Sequence, residues 1–257
     1  MKVWAIANQK GGVAKTTTTV SLGGLLAAWG FRVLLVDMDP HGSMTSYFRY
    51  DPDNLEDSVY SLFQANADKR SLDPRSLLCE TGTEGLILLP ASLAQATLDR
   101  QAGKLNGMGL ILKGALKQLA DEFDYVLIDC PPLLGVLLIN ALAACDQLII
   151  PVQTEFLALK GLERMTHTLQ MVLKARQKPL PDVIVPTMSD QRTRASQDSL
   201  RVLRQSYREQ LWPGVIPVDT RLRDASKSGL PPPFFAPRSR GVEAYTALLE
   251  FLLRQGE

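Results

Sequence analysis

The chain of 257 residues is 46% apolar and 21% charged, enough material for a sizeable core, which excludes collagen-like, disordered and disulfide-stapled classes. Twenty-eight Lys and Arg against 27 Asp and Glu leave a formal charge of +1, so any contact with nucleic acid has to come from a local patch. The three cysteines (Cys79, Cys130, Cys145) and two histidines (His41, His167) lack metal-ligand spacing, which argues against structural zinc and fits a reducing cytoplasm.

The first apolar run, Val3 to Ala7, is broken at Asn8, Gln9 and Lys10, so it reads as a strand and not as a secretion signal. Because it begins at residue 2 or 3, no N-terminal DNA-reading module is expected. Further runs follow at Val33 to Val36, Leu86 to Leu89, Tyr125 to Ile128, Leu148 to Val152, Val183 to Val185 and Val215 to Val218. They are apolar on successive positions, the pattern of strands covered on both faces. Helical spacing fills Thr16 to Trp29, Leu110 to Glu122, Leu157 to Arg176 and Ser196 to Arg208. The alternation predicts an α/β fold, a doubly wound and mostly parallel sheet flanked by helices. The irregular stretches Asp51 to Asp57 and Pro231 to Pro237 are too short and too apolar for linkers, so a single domain is expected over 1–257. No window has the roughly 18 apolar residues of a membrane-spanning helix.

The densest chemistry is Gln9-Lys-Gly-Gly-Val-Ala-Lys-Thr-Thr17, directly after the first strand and before a helix. In that context backbone N–H groups and the helix N-terminus cradle polyphosphate. Gly11 and Gly12 let the main chain approach an anion, Lys15 supplies a point charge and Thr16 a hydroxyl for Mg2+. The general pattern of Gly, four residues, Gly-Lys-Ser/Thr fails at both glycines, where Gln9 and Ala14 stand. If position 14 needs φ > 0, alanine there costs about 1–2 kcal/mol. Later strands end in Asp37-Met-Asp39-Pro40 and in Asp129-Cys-Pro-Pro132, carboxylates on the edge where open α/β sheets bind ligands. Asp129 matches the Walker B pattern of apolar residues ending in a metal-holding acid. Single acids after strands also serve as caps and turn formers, and Cys130 reads as a packing residue.

Lys10-Gly-Gly-x-x-Lys15-Thr-Thr resembles the deviant Walker A phosphate loop of the ParA/MinD family of P-loop ATPases. The likeness extends to Pro131 to Gly135 with Asn140-Ala-Leu, Ile150 to Gln153, Gly161-Leu and Ser239 to Tyr245. In that family the first loop position need not be glycine, whereas Ala14 departs from the usual residue. The resemblance implies ATP and Mg2+ as cofactors and a slow, partner-stimulated ATPase. It implies that Lys10, Gly11, Gly12, Val13, Ala14, Lys15, Thr16 and Thr17 hold the nucleotide. Adenine would lie against the segments after the sixth and seventh runs, Pro186 to Met188 and Pro217 to Asp219, with Pro217 and Asp219 as contacts. Lys10, Lys15 and Asp39 would be catalytic, Asp39 orienting the attacking water with Asp37 in support. Thr16, Asp39 and Asp129 would form the metal set. His41, where relatives often have glutamine, either faces the phosphates or sits in a surface turn.

In this family Lys10 would reach the nucleotide of a partner subunit. Facing triphosphates repel, and cations supplied across the interface offset that repulsion, so ATP favours a homodimer that hydrolysis loosens. For cargo, residues 160–208 hold ten Lys/Arg and four Asp/Glu. Arg192 and Arg221 fall where chromosome-partitioning relatives carry arginines for nonspecific DNA, with Arg194 and Arg223 nearby. The C-terminal Ala247 to Arg254 lacks the lysine-rich face of MinD-type membrane helices, so no membrane partner is expected. Asp39 to Tyr47 and Gln153 to Arg164 look most like the ParC branch, which positions chemotaxis arrays. That branch implies a ParP-like activator; the alternative is a chromosome or plasmid partitioning ATPase with a ParB-like one. Competing classes are a phosphoryl-activating ligase, an electron-transfer ATPase like the nitrogenase iron protein, and a nonhydrolysing scaffold. The electron-transfer class needs paired cluster cysteines that Cys130 alone does not reproduce.

Overall fold

The computed structural model describes residues 1–98, 108–173 and 179–255. Among the described residues seven strands form one sheet: β1 (Lys2–Ile6), β2 (Val33–Asp37), β3 (Cys79–Glu80), β4 (Leu86–Leu89), β5 (Tyr125–Asp129), β6 (Gln147–Gln153) and β7 (Asp182–Thr187), in spatial order β3-β4-β2-β5-β1-β6-β7. All pairings are parallel except β3 with β4. The helices used below are α1 (Lys15–Ala28), α2 (Ser43–Tyr47), α3 (Val59–Ala67), α4 (Ile111–Gln118), α5 (Val136–Ala144), α6 (Phe156–Leu173), α7 (Arg194–Ser206), α8 (Thr220–Ser228), α9 (Pro232–Phe235) and α10 (Arg240–Gln255).

Successive strand residues point to opposite faces, and the chain fills both. Val3, Ala5, Leu34, Val36, Val126 and Ile128 enter one core with residues of α3, α4, α5 and α6. Trp4, Ile6, Val33, Leu35, Tyr125 and Leu127 enter the other with α1 and α10. This is why the strands read as unbroken apolar runs. Helix α1 lies close between the sheet and the proline cluster because of two glycines. A Cβ on Gly23 would come within 2.6 Å of Leu35 Cδ2, and one on Gly24 within 2.5 Å of Pro231 Cβ. The irregular 231–237 stretch is thus a packing wedge and forms α9.

In the C-terminal helix Val242, Tyr245, Leu248, Leu249 and Leu252 are buried against that second core, as its pattern suggests. Among the described residues no helix is long and apolar enough to cross a membrane.

Two sequence expectations need correction. Val215 to Val218 is no strand: it makes an isolated bridge, Ser189 to Pro217, since Pro217 has no N–H to donate and Pro213 and Gly214 precede it. The antiparallel edge strand Cys79–Glu80 was not anticipated, its two residues being too few to show a period. The end of the predicted helix at Lys174 to Arg176 lies outside the described residues.

Candidate functional site

Strand register assembles the site. Asp129 stands opposite Asp37 on one side and Ile6 on the other, so two acids and the root of the glycine loop meet at the carboxyl edge. The loop is tied down at both ends. Asn8 donates from Nδ2 to the Pro151 carbonyl at 2.7 Å and accepts the Lys10 N–H at 2.9 Å. At the far end the Thr187 hydroxyl donates to the Val13 carbonyl at 3.1 Å.

Between these ties Gly12 has φ +72°, and among the described residues no atom beyond the adjoining residues lies within 4 Å of where a Cβ on Gly11 or Gly12 would stand. The backbone here lines open space, as a phosphate cradle requires. Ala14 takes φ 72°, ψ 30°, the left-handed region, so the condition set on its cost is met: about 1–2 kcal/mol of strain is held in the loop. Lys15 is buried and its Nζ curls back to the Lys10 carbonyl at 3.3 Å. Lys10, by contrast, sends its amine to Glu155 of the same chain, with Gln153 Oε1 at 3.4 Å.

The Thr16 hydroxyl donates to Asp129 Oδ2 at 2.5 Å, while the buried Asp129 Oδ1 has no hydrogen-bond partner among the described residues. An orphaned carboxylate oxygen beside a hydroxyl fits a hydrated Mg2+, which keeps much of its water and takes only one or two protein ligands. No all-protein cage competes with that reading: among the described residues no group of three or more His, Cys, Asp and Glu is placed to hold a metal. Burial, and then the neighbouring Asp37, push the Asp129 carboxyl well above the usual range.

Asp37 is fully buried, accepting the Thr45 N–H and hydroxyl at 2.8 Å each and the Asp39 N–H at 3.2 Å. Burial outweighs those bonds and pushes it up to about 6. Asp39 stands at the rim. Its Oδ1 accepts the His41 N–H at 3.0 Å and lies 2.9 Å from His41 Nδ1. The exposed His41 ring therefore occupies a surface turn yet touches the carboxylate. Thr16 and Asp129 are in direct contact; Asp39 is linked to them through Asp37.

The raised Asp37 value carries a stability prediction. An acid raised on folding lends stability that is complete below its unfolded value near 3.8 and is lost as pH rises through about 6. In chelator and without nucleotide, the melting temperature of the wild type should fall by about 5 °C more between pH 5 and 7.5 than that of Asp37→Asn. Parallel pH profiles of the two proteins would contradict this.

Beside the loop a cavity of about 430 Å3 is lined by Ala14, Thr17, Met188, Pro217, Asp219 and Tyr245 among others. Its mostly apolar wall suits a planar base. Both segments foreseen for adenine thus line one cavity, with Met188 itself at φ 50°. The Asp219 carboxylate, however, caps α8 through the Arg221 N–H at 2.9 Å and holds the Gly241 N–H at 2.8 Å. It shapes the wall, with both oxygens committed to backbone.

The arginines differ among themselves. Arg192 grips Asp190 with two bonds of 2.9 Å, holding that carboxyl down at about 2. Arg194, Arg221 and Arg223 are exposed, and the segments bearing them are stitched at their roots by Ser189 N–H to the Ile216 carbonyl, 3.0 Å. Arg221 also lines an open depression with Arg238 and Arg240, two residues that sequence reasoning missed. It missed Asn8 and Glu155 as well, and it placed Thr187 only in the Pro186 to Met188 segment foreseen for adenine, not as a tie of the loop. The basic count over 160–208 includes 174–178, outside the described residues.

Comparison with known proteins agrees with this geometry. A family model described as an AAA domain matches residues 1–181. The sporulation initiation inhibitor protein Soj of Bacillus subtilis is 38% identical over 256 residues, 99% of either chain. A solved structure described as cobyrinic acid a,c-diamide synthase from Mycobacterium smegmatis with bound ATP analog and magnesium is 36% identical. It superposes with a TM-score of 0.83 over 99% of this chain and 95% of that one. A putative plasmid partition protein from Borrelia burgdorferi bound to AMPPNP is 26% identical, with a TM-score of 0.82 over 99% of both. A family model spanning more than half the sequence and a relative alike from end to end lead to one conclusion: this chain belongs to the AAA-domain family of ParA/Soj-like P-loop ATPases.

Proposed function

We propose that residues 1–257 act as one ATP-driven switch that forms a sandwich homodimer around two nucleotides and, by hydrolysing them slowly under a partner's control, positions or segregates a cargo in the cytoplasm. The observation that carries this reading is the pair of lysines with separate engagements, Lys15 inside the loop and Lys10 outside it on Glu155. In this deviant Walker A loop Lys15 meets the β and γ oxygens, and Lys10 is left for the nucleotide of the partner subunit.

The backbone from Lys10 to Thr17 holds the phosphates, and the wall containing Pro217 and Asp219 holds adenine. Thr16 and the free oxygen of Asp129 would hold Mg2+, with Asp39 at the outer edge of that set. When bound, Mg2+ would neutralise charge developing on the phosphate oxygens. Asp39 orients the attacking water and accepts its proton. A synthase chemistry like that of the M. smegmatis protein's name suits the surroundings less well. A carboxylate substrate brought beside the loop would meet the Asp39 and Glu155 carboxylates at its rim, and like charges repel.

Sedimentation of the chain with Mg2+ and ATP, ADP or no nucleotide tests the reading. A dimer formed with ATP alone supports it, and a monomer in every state contradicts it.

For cargo, the likeness to a chromosome partitioning protein ParA of Myxococcus xanthus and to a plasmid partition protein, together with exposed arginines, supports chromosome or plasmid partitioning on nonspecific DNA with a ParB-like activator. The stretches Asp39 to Tyr47 and Gln153 to Arg164 support chemotaxis arrays with a ParP-like activator. DNA binding separates the two. On the first reading Arg221→Ala should weaken binding of the ATP-bound protein by about fivefold and lower its salt slope by about one between roughly 50 and 200 mM salt. Arg192→Ala, whose guanidinium must first leave its two bonds to Asp190, should weaken binding less than Arg221→Ala does. Fluorescence anisotropy with duplexes of unrelated sequence reads both. No binding by the wild type would discard the DNA reading.

A further inference from the structure

We infer that Thr187 is a positioning residue for the phosphate loop, and that its hydroxyl holds Ala14 in the left-handed conformation that this loop needs. The inference rests on the nucleotide reading above. Thr187 ends β7, is fully buried, and lies 174 residues from the carbonyl to which it donates. That carbonyl belongs to Val13, also fully buried, so it shares a peptide plane with the N–H of Ala14. A trans peptide points its N–H opposite to its C=O. Holding the Val13 oxygen toward β7 therefore aims the Ala14 N–H away from that strand, and the peptide cannot turn over without breaking the bond.

Alanine makes this tie necessary. An L-residue at φ 72° is under strain that rotation of the preceding peptide would relieve, whereas glycine adopts the same angles freely. Thr187 is itself fixed, since it pairs with Gln153 in the β6–β7 ladder and its carbonyl accepts the Thr154 N–H at 3.2 Å. The Ala14 carbonyl in turn accepts the Thr18 N–H at 2.9 Å, the first turn of α1. One hydroxyl thus links the end of β7 to the start of the helix that carries Lys15 and Thr16.

The test is a double-mutant cycle read as the Kd for Mg2+·ADP by calorimetry, with thermal melting as a check on folding. Thr187→Val should weaken ADP binding about tenfold in the wild-type background, because a buried carbonyl loses its donor and the loop relaxes. Thr187→Ser, which keeps the hydroxyl, should stay within about threefold. In an Ala14→Gly background Thr187→Val should cost less than about threefold. Equal losses in both backgrounds, or no recovery by Thr187→Ser, overturn the proposal. Should Thr187→Val fail to fold, Thr187→Ala carries the same comparison. A wild type that binds neither ADP nor ATP sinks the nucleotide reading and the tie together, whereas a wild type that binds and a Thr187→Val with unchanged Kd sinks the tie alone.

Discussion

Replacing Asp39 with alanine should lower phosphate release by about 100-fold or more while leaving the Kd for Mg2+·ATP within about threefold of the wild type. The separation follows from where the groups stand. Lys15, Thr16 and Asp129 are in or against the loop, whereas the Asp39 carboxylate is at the rim, held by its own turn and His41. Removing it leaves the cradle and the orphaned Asp129 oxygen intact. What is lost is the acceptor that orients water and takes its proton. Single-turnover phosphate release and nucleotide titration on the same preparation give both quantities. Unchanged turnover would remove Asp39 from the mechanism, and lost binding would make it part of the cradle. With hydrolysis stopped, the ATP dimer should persist.

Lys10→Ala should bind ATP and remain a monomer, with dimer affinity lowered by about 100-fold or more. Magnitudes decide why the intrachain contact does not prevent the intermolecular one. The Lys10 and Glu155 side chains are 29% and 45% exposed, and pairs so open to solvent are worth about 0–1 kcal/mol. Charge-assisted bonds to a triphosphate excluded from water are stronger, and truncating one side of such a pair costs about 2–5 kcal/mol. Exchange of Glu155 for a partner's phosphates is therefore downhill once both nucleotides are bound. Sedimentation of Lys10→Ala in an Asp39→Ala background removes turnover as a variable. A dimer as tight as that of Asp39→Ala itself would show that the earlier lysine does not hold the halves together.

Much of the fold was legible because the informative residues are contiguous. Val33 to Val36 and Tyr125 to Ile128 are buried on both faces, so their sequence alone announces central parallel strands, and the glycine loop sits between β1 and α1 as its spacing implies. The carboxylates were legible for a related reason: each ends an apolar run, and parallel strands deliver all such ends to one edge. Val215 to Val218 misled because its apolar pattern is that of a strand while its prolines remove donors, and pairing depends on donors as well as on pattern.

The ties of the loop were not legible. Asn8 to Pro151 and Thr187 to Val13 join residues 143 and 174 positions apart, and nothing local in Asn8 or Thr187 says that β6 and β7 lie beside β1. Glu155 was hidden similarly, as an ordinary acid at the start of α6 until strand order brings it to Lys10. The conformation of Ala14 was open for the opposite reason: the local sequence favours φ < 0, and the surrounding structure overrides it.

The most direct measurement of the central claim is a crystal structure of the Asp39→Ala protein with Mg2+ and ATP. In the predicted dimer Lys10 Nζ has left Glu155 and lies within hydrogen-bond distance of phosphate oxygens held by the other protomer. A fully nucleotide-bound structure in which that amine still rests on Glu155 of its own chain, with no facing subunit, would contradict it.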